Sequence, residues 1–199
     1  MKHTILFFTI ALLFAACGEN VTEAEYRAAD AVSVNDNTVA LQNGKSYELP
    51  HAGDSEYRTL VLVRHAEKAK EAGDNPNLSE EGFARAEKLK DILLPLSPDR
   101  CYVTSYKRSV LTSMPLAKAI KRPNMHYKPE DYYTLFDLIF KEHNTQKSVI
   151  VGHSNTIPEM LNLLVGEKRY DDLAEDAYSR MFVVRSKGLG ESEVTELKF

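Results

Sequence analysis

An α/β sandwich, three layers with a largely parallel central sheet and helices on both faces, is the fold class this sequence predicts. Three observations carry that expectation. The runs Thr59–Val63 (TLVLV) and Ser148–Val151 (SVIV) are almost continuous in aliphatic and β-branched residues, as strands buried on both faces are. Stretches with helical apolar spacing alternate with the strand runs from Thr59 onward. The chain has 199 residues, 43% hydrophobic and 27% charged. That suits one ordinary domain, and neither a disordered polyelectrolyte nor a membrane bundle.

Met1-Lys2-His3 is a short positive start, and Ile5 to Phe14 (ILFFTIALLF) is an almost unbroken apolar run. The run is too short for a bilayer-spanning helix, which needs roughly 20 apolar residues, and it matches the core of a secretory signal. Phe14-Ala15-Ala16-Cys17-Gly18 resembles a bacterial lipoprotein box. The resemblance implies cleavage before Cys17, acylation of that cysteine, and a lipid-anchored place in the cell envelope, outside the cytoplasm. Residues 1–16 are then a signal peptide, 17–56 a lipidated N-terminus with a tether and a β-hairpin, and 57–199 the α/β domain. With Cys17 acylated, Cys101 is the remaining thiol of the two cysteines, and no intramolecular disulfide forms.

Gly18 to about Asp36 is polar without a clear period, and reads as a tether or short helix. Thr38–Pro50 carries Asn43-Gly44 between two strand-like runs, a hairpin signal. Ser79 is a good N-cap for a helix with Glu80 and Glu81 in its first turn; Phe83, Ala86, Leu89 and Leu93 supply the apolar face, and Pro95 closes it. Arg100–Thr104 reads as a strand and Lys107–Ile120 as a helix bent at Pro115. Pro123 and Pro129 bracket a loop. Glu130–His143 forms a helix with Tyr132, Phe136 and Ile139 inward. Thr156–Val165 is a helix ended by Gly166, and Met181–Val184 with Glu193–Phe199 makes a last strand pair.

Ligands of such sheets bind beyond the carboxyl ends of the strands. After the first core strand comes Arg64-His65-Ala66-Glu67; after the next, Thr104-Ser105, with Arg108 one helical turn on; after the third, Gly152-His153-Ser154-Asn155. Two arginines and two histidines therefore converge on one sheet edge. Guanidinium forks match phosphate oxygens and stay charged at any working pH. A neutral imidazole attacks phosphorus when its other nitrogen is held as a donor. Backbone N–H groups at helix starts, with a second histidine, balance charge on the equatorial oxygens. A metal is the rival reading for His65 and His153, but it lacks a carboxylate partner and the arginines would repel it. The net charge of -4 gives no general attraction to nucleic acid.

Leu62-Val-Arg64-His65-Ala-Glu67, Leu78-Ser-Glu-Glu-Gly82, Thr104-Ser-Tyr-Lys-Arg108-Ser-Val-Leu-Thr112 and Val151-Gly-His153-Ser together resemble the histidine phosphatase superfamily, the phosphoglycerate-mutase-like clan. Ala66 stands where that family's signature usually has glycine. The resemblance implies the clan's α/β/α sandwich over about residues 57–199, no cofactor and no metal. It makes His65 the nucleophile that forms a phosphohistidine, with Arg64, Arg108 and His153 binding the phosphate and stabilising the transition state. The implied activity is metal-independent hydrolysis of phosphate monoesters, of the histidine acid phosphatase kind, on a small phosphorylated substrate. A phosphate-binding lipoprotein without turnover, and a phosphotransferase or mutase of the same clan, stand as alternatives, the latter weakened by a chain too short for a mutase's insertions. The family commonly places an acidic proton donor between the second arginine's helix and the second histidine. Candidates here are Glu130, Asp131 and Asp137, with Glu67 beside the nucleophile as a fourth.

Overall fold

The computed structural model describes residues 29–70 and 73–199; the expected signal peptide, Cys17 and the start of the tether lie outside them. Strands β1 (Ala31–Val34), β2 (Thr38–Leu41) and β3 (Ser46–Glu48) form a small antiparallel sheet. Strands β4 (Arg58–Arg64), β5 (Arg100–Val103), β6 (Asn124–His126), β7 (Lys147–Gly152), β8 (Arg180–Gly188) and β9 (Glu191–Lys198) form the central sheet, in the order β6-β5-β7-β4-β8-β9. β4, β5, β6 and β7 run parallel to one another, and β8 lies antiparallel between β4 and β9. The helices are α1 (Glu80–Leu93), α2 (Lys107–Ala119), α3 (Tyr132–Lys141) and α4 (Thr156–Val165).

Strand alternation assigns the layers. Val61, Val63, Cys101, Val103, Val149, Val151, Met181 and Val183 point to one face, where they pack with Leu89, Ile92 and Leu93 of α1 and Leu116 of α2. Leu60, Leu62, Tyr102, Ile150, Phe182 and Val184 point to the other, against Phe136 and Ile139 of α3 and Ile157, Met160, Leu161 and Leu164 of α4. Both faces of each central strand are thus buried, which is why the strand runs are apolar without alternation. α1 starts at Ser79, whose side chain accepts from Gly82 N, and α2 continues through Pro115 without a break.

Several expectations need correction. Residues 31–34, read as tether, are strand β1, and Ala31, Val34, Val39, Leu41 and Leu49 belong to the same core cluster as α1. The small sheet is therefore a packed part of the domain. Residues 124–126, read as loop, form edge strand β6 beside β5. Its three side chains are largely exposed, so it leaves no apolar signature. Tyr132, expected inward, is only partly buried, and Phe83, expected on the apolar face of α1, is 46% exposed. Among the described residues no helix is long and apolar enough to cross a membrane.

Candidate active site

Parallel register brings the site together. Arg64 lies opposite Gly152 across the β4–β7 pair, so His65 and His153 are the next residues on neighbouring strands. A bond from His65 N to Gly152 O (3.0 Å) carries the ladder one step further. Val103 pairs with Val151 across β5 and β7, which sets Thr104 within 3.1 Å of His153 Nε2. Arg108 arrives from the first turn of α2. Thr112, one turn on, accepts from Ala66 N (2.8 Å) and donates to the Arg108 carbonyl (2.7 Å). The nucleophile loop and the arginine helix are thereby tied to each other.

Two close approaches account for glycines in the motifs. A Cβ on Gly82 would overlap the Glu67 carbonyl oxygen, so only glycine lets α1 press against the loop that follows His65. A Cβ on Gly152 would meet Ile157 Cδ1 at 2.8 Å and Thr156 Oγ1 at 2.9 Å. Ala66 has no positive φ and packs its methyl with Leu78, Ala86 and Leu111. The backbone at this position does not require glycine.

The four residues singled out in the sequence, Arg64, His65, Arg108 and His153, line one cavity of about 350 Å³, with Lys68, Tyr106, Ser154, Asn155, Thr156 and Glu175. His65 is 4% exposed and forms the floor. Its Nδ1 lies 2.8 Å from the Ala66 carbonyl oxygen, which can only accept. The proton therefore sits on Nδ1, and Nε2 carries the lone pair. Thr104 gives its own proton to Ser109 Oγ (2.8 Å), so His153 Nε2 is the donor in their contact. Burial above all, and then the charges of Arg108 and Arg64, push His65 down to about 3 and His153 down to about 4, the Ala66 bond opposing this for His65. Both rings are neutral at physiological pH.

Two cations face these neutral rings. Arg64 is 3% exposed, and the Nε of each arginine is buried with no hydrogen-bond partner. Each guanidinium also lies over a tyrosine ring at 4.3 Å, Arg64 on Tyr178 and Arg108 on Tyr106. α2 and α4 both start at the cavity, and neither Tyr106 nor Asn155 caps with its side chain. The helices that start elsewhere, α1 and α3, are capped by Ser79 and Asp131. The positive ends of two helices and the guanidinium donors thus gather at one place, an arrangement complementary to a tetrahedral oxyanion, although Asn75 Oδ1 already accepts from Lys107 N at the start of α2 (2.8 Å). Among the described residues no group of three His, Cys, Asp or Glu side chains is placed to hold a metal.

The four carboxylates named as proton donors do not line this cavity. Arg85 holds Glu67 with a 2.6 Å bond from Nη2 and further bonds from Nε. Asp131 caps α3, Asp137 pairs with Lys141 at 2.7 Å, and Glu130 is exposed outside the lining. The carboxylate that does line it is Glu175, together with Tyr178 the main feature sequence reasoning missed. Both come from the irregular segment between α4 and β8, which has no apolar period to place it.

The family model for the histidine phosphatase superfamily (branch 1) matches residues 60–130. No curated protein matches the chain. A SixA protein from Agrobacterium tumefaciens shares the fold with a TM-score of 0.51 and 22% identity, over 64% of this chain and 91% of that one. The protein histidine phosphatase SixA complexed with tungstate matches with a TM-score of 0.55 and 11% identity, over 70% and 96%. The mycobacterial glucosyl-3-phosphoglycerate phosphatase, also solved with inorganic phosphate, matches with a TM-score of 0.58 and 11% identity, over 71% and 99%. Residues 60–130 thus resemble the histidine phosphatase superfamily (branch 1) in sequence, and the chain shares its α/β/α fold with these solved phosphatases.

Proposed function

We propose that this protein is a phosphatase that hydrolyses phosphate monoesters without a metal, through a phosphohistidine on His65. One observation carries the reading: a neutral imidazole with its Nε2 lone pair free shares a cavity with the guanidinium groups of Arg64 and Arg108, against a single exposed carboxylate, Glu175. His65 Nε2 attacks phosphorus, forming the N–P bond as the ester P–O bond breaks. Arg64 and Arg108, with the positive ends of α2 and α4 behind them, hold the equatorial oxygens. His153, neutral in the free protein, becomes a hydrogen-bond donor on both nitrogens once a dianion favours its protonation. Water then displaces the phosphoryl group, and the electron pair of the N–P bond returns to Nε2. The tungstate and phosphate complexes of the structural neighbours support an oxyanion as ligand.

The lipoprotein reading of residues 1–17 extends the proposal: the domain faces the outside of the cytoplasm, held at a membrane through Cys17. Cys17→Ser would then leave the protein in the soluble fraction, and an unchanged membrane fraction would contradict the anchor.

The test of the activity is hydrolysis of an aryl phosphate by the purified protein in excess chelator, beside His65→Ala. Turnover that survives chelation and falls at least about 10,000-fold in the variant supports the mechanism. A wild-type protein inactive on a panel of phosphate esters contradicts it.

A further inference from the structure

We infer that Glu175 is the acid that protonates the departing oxygen, and that the site is therefore equipped for phosphate esters of ordinary alcohols. This rests on the phosphatase reading above and names its substrate class. Glu175 is the one carboxylate among the described residues lining the cavity. Its Oε2 lies 3.4 Å from Arg64 Nη2, the guanidinium that would hold the phosphoryl group.

Its place is fixed by the backbone. Arg64 Nη1 donates to the carbonyls of Ala174 (2.8 Å) and Glu175 (3.0 Å). Leu173, buried at 5%, donates from its N–H to the Ser154 carbonyl (2.9 Å), beside His153. The chain is thus pinned at Glu175 while the side chain, 83% exposed, remains free to swing. In-line displacement sends the leaving oxygen away from the buried His65 floor toward the mouth, and the mouth is where this carboxyl sits.

Charge provides the timing. In the free protein the carboxylate answers Arg64. A phosphoryl dianion on Arg64 takes that partner away and leaves the carboxyl beside the ester oxygen, where it acts as the acid that carries a proton. As the P–O bond breaks, that proton passes to the ester oxygen, which leaves as an alcohol, and Glu175 is left ionised. In the second half, water attacks phosphorus, its proton goes to Glu175, and the N–P electron pair returns to His65. An alkoxide leaving group depends on such a donor far more than a nitrophenolate does.

The test compares wild type, Glu175→Gln and Glu175→Asp on p-nitrophenyl phosphate and on an alkyl phosphate such as glycerol phosphate. The expected result is an alkyl-to-nitrophenyl ratio of kcat/KM that falls about 100-fold in Glu175→Gln and is partly restored in Glu175→Asp. Because the side chain is exposed, both variants fold, and thermal melting verifies it. Equal losses on both substrates would make Glu175 a positioning group for Arg64, and a lowered KM with the ratio intact would make it a competitor for that arginine. Either overturns the inference while the phosphatase reading stands. Wild type inactive on both substrates overturns the reading itself.

Discussion

Two buried arginines at opposite ends of the central sheet make an instructive pair. Arg64 closes β4 and is 3% exposed; Arg185, on the neighbouring β8, is 5% exposed. Each has a buried Nε without a partner, and each is held by two backbone carbonyls. For Arg64 these are Ala174 and Glu175. For Arg185 they are His51 at 2.8 Å and Asp54 at 3.0 Å, with the Thr59 hydroxyl at 2.6 Å. What differs is the charge around them. Arg185 looks onto a cavity of about 680 Å³ that also presents Asp36, Asp54 and Asp99. Arg64 shares its smaller cavity with two further cations, Arg108 and Lys68, two neutral histidines and a single carboxylate, the exposed Glu175. Where acids compensate it, the buried guanidinium is a staple that fastens residues 51–54 to the sheet. Where a second cation faces it, the same device holds a place for an anion. Cavity size misleads here, and the sign of the surrounding charge does not.

The largest effect expected from breaking this contrast lies at Arg108. Arg108→Ala should lower kcat/KM for an aryl phosphate about 1,000-fold with little change in melting temperature. Arg185→Leu should do the reverse. Leaving the His51 and Asp54 carbonyls without their donor costs about 2 kcal/mol, a fall of about 4–8 °C in Tm, with kcat/KM retained. An Arg185 variant as inactive as the Arg108 one would dissolve the distinction. Inorganic phosphate sharpens it: the ligand should raise the Tm of wild type and of Arg185→Leu, and fail to raise that of Arg108→Ala.

A smaller effect concerns pH. The histidines take up protons more readily in the unfolded chain, at the ordinary value of 6.5, than in the fold, where His65 sits at about 3 and His153 at about 4. Their neutral burial is therefore compatible with full stability above 6.5, and stability falls as pH drops through the window below it. His65→Gln should flatten that slope in acid melts. A variant with the wild-type slope would show that the two rings do not set acid stability. Smallest is Thr112→Val, which removes the acceptor of Ala66 N. It should lower kcat about tenfold by loosening the His65 loop against Arg108, leaving KM for phosphate esters near its original value.

The parts of this contrast were not equally legible in the sequence. Arg64, His65, Arg108 and His153 stand out because each follows an apolar strand run or opens a helix, and parallel register then has one geometric outcome. Ser79 and Gly166 announce helix ends through local backbone chemistry. Arg185 gives no such signal, since its partners lie more than 100 residues away and nothing local marks it as buried. Glu175 and Tyr178 are hidden for the same reason: they return to Arg64 from an aperiodic segment. β1 and β6 escape because strands of four and three residues bury too few side chains for a period to show. Glu67 looks available beside the nucleophile, and only the fold reveals Arg85 already paired with it.

The central claim is that His65 carries the phosphoryl group. Rapid quenching of the wild-type protein in alkali during turnover of an aryl phosphate, followed by peptide mass spectrometry, tests it most directly. The predicted result is one phosphoryl group on the peptide containing His65, stable in alkali and lost in acid, and absent from His65→Ala. Phosphate release with no phosphorylated His65 at any quench time, or a phosphoryl group on His153 instead, would contradict it.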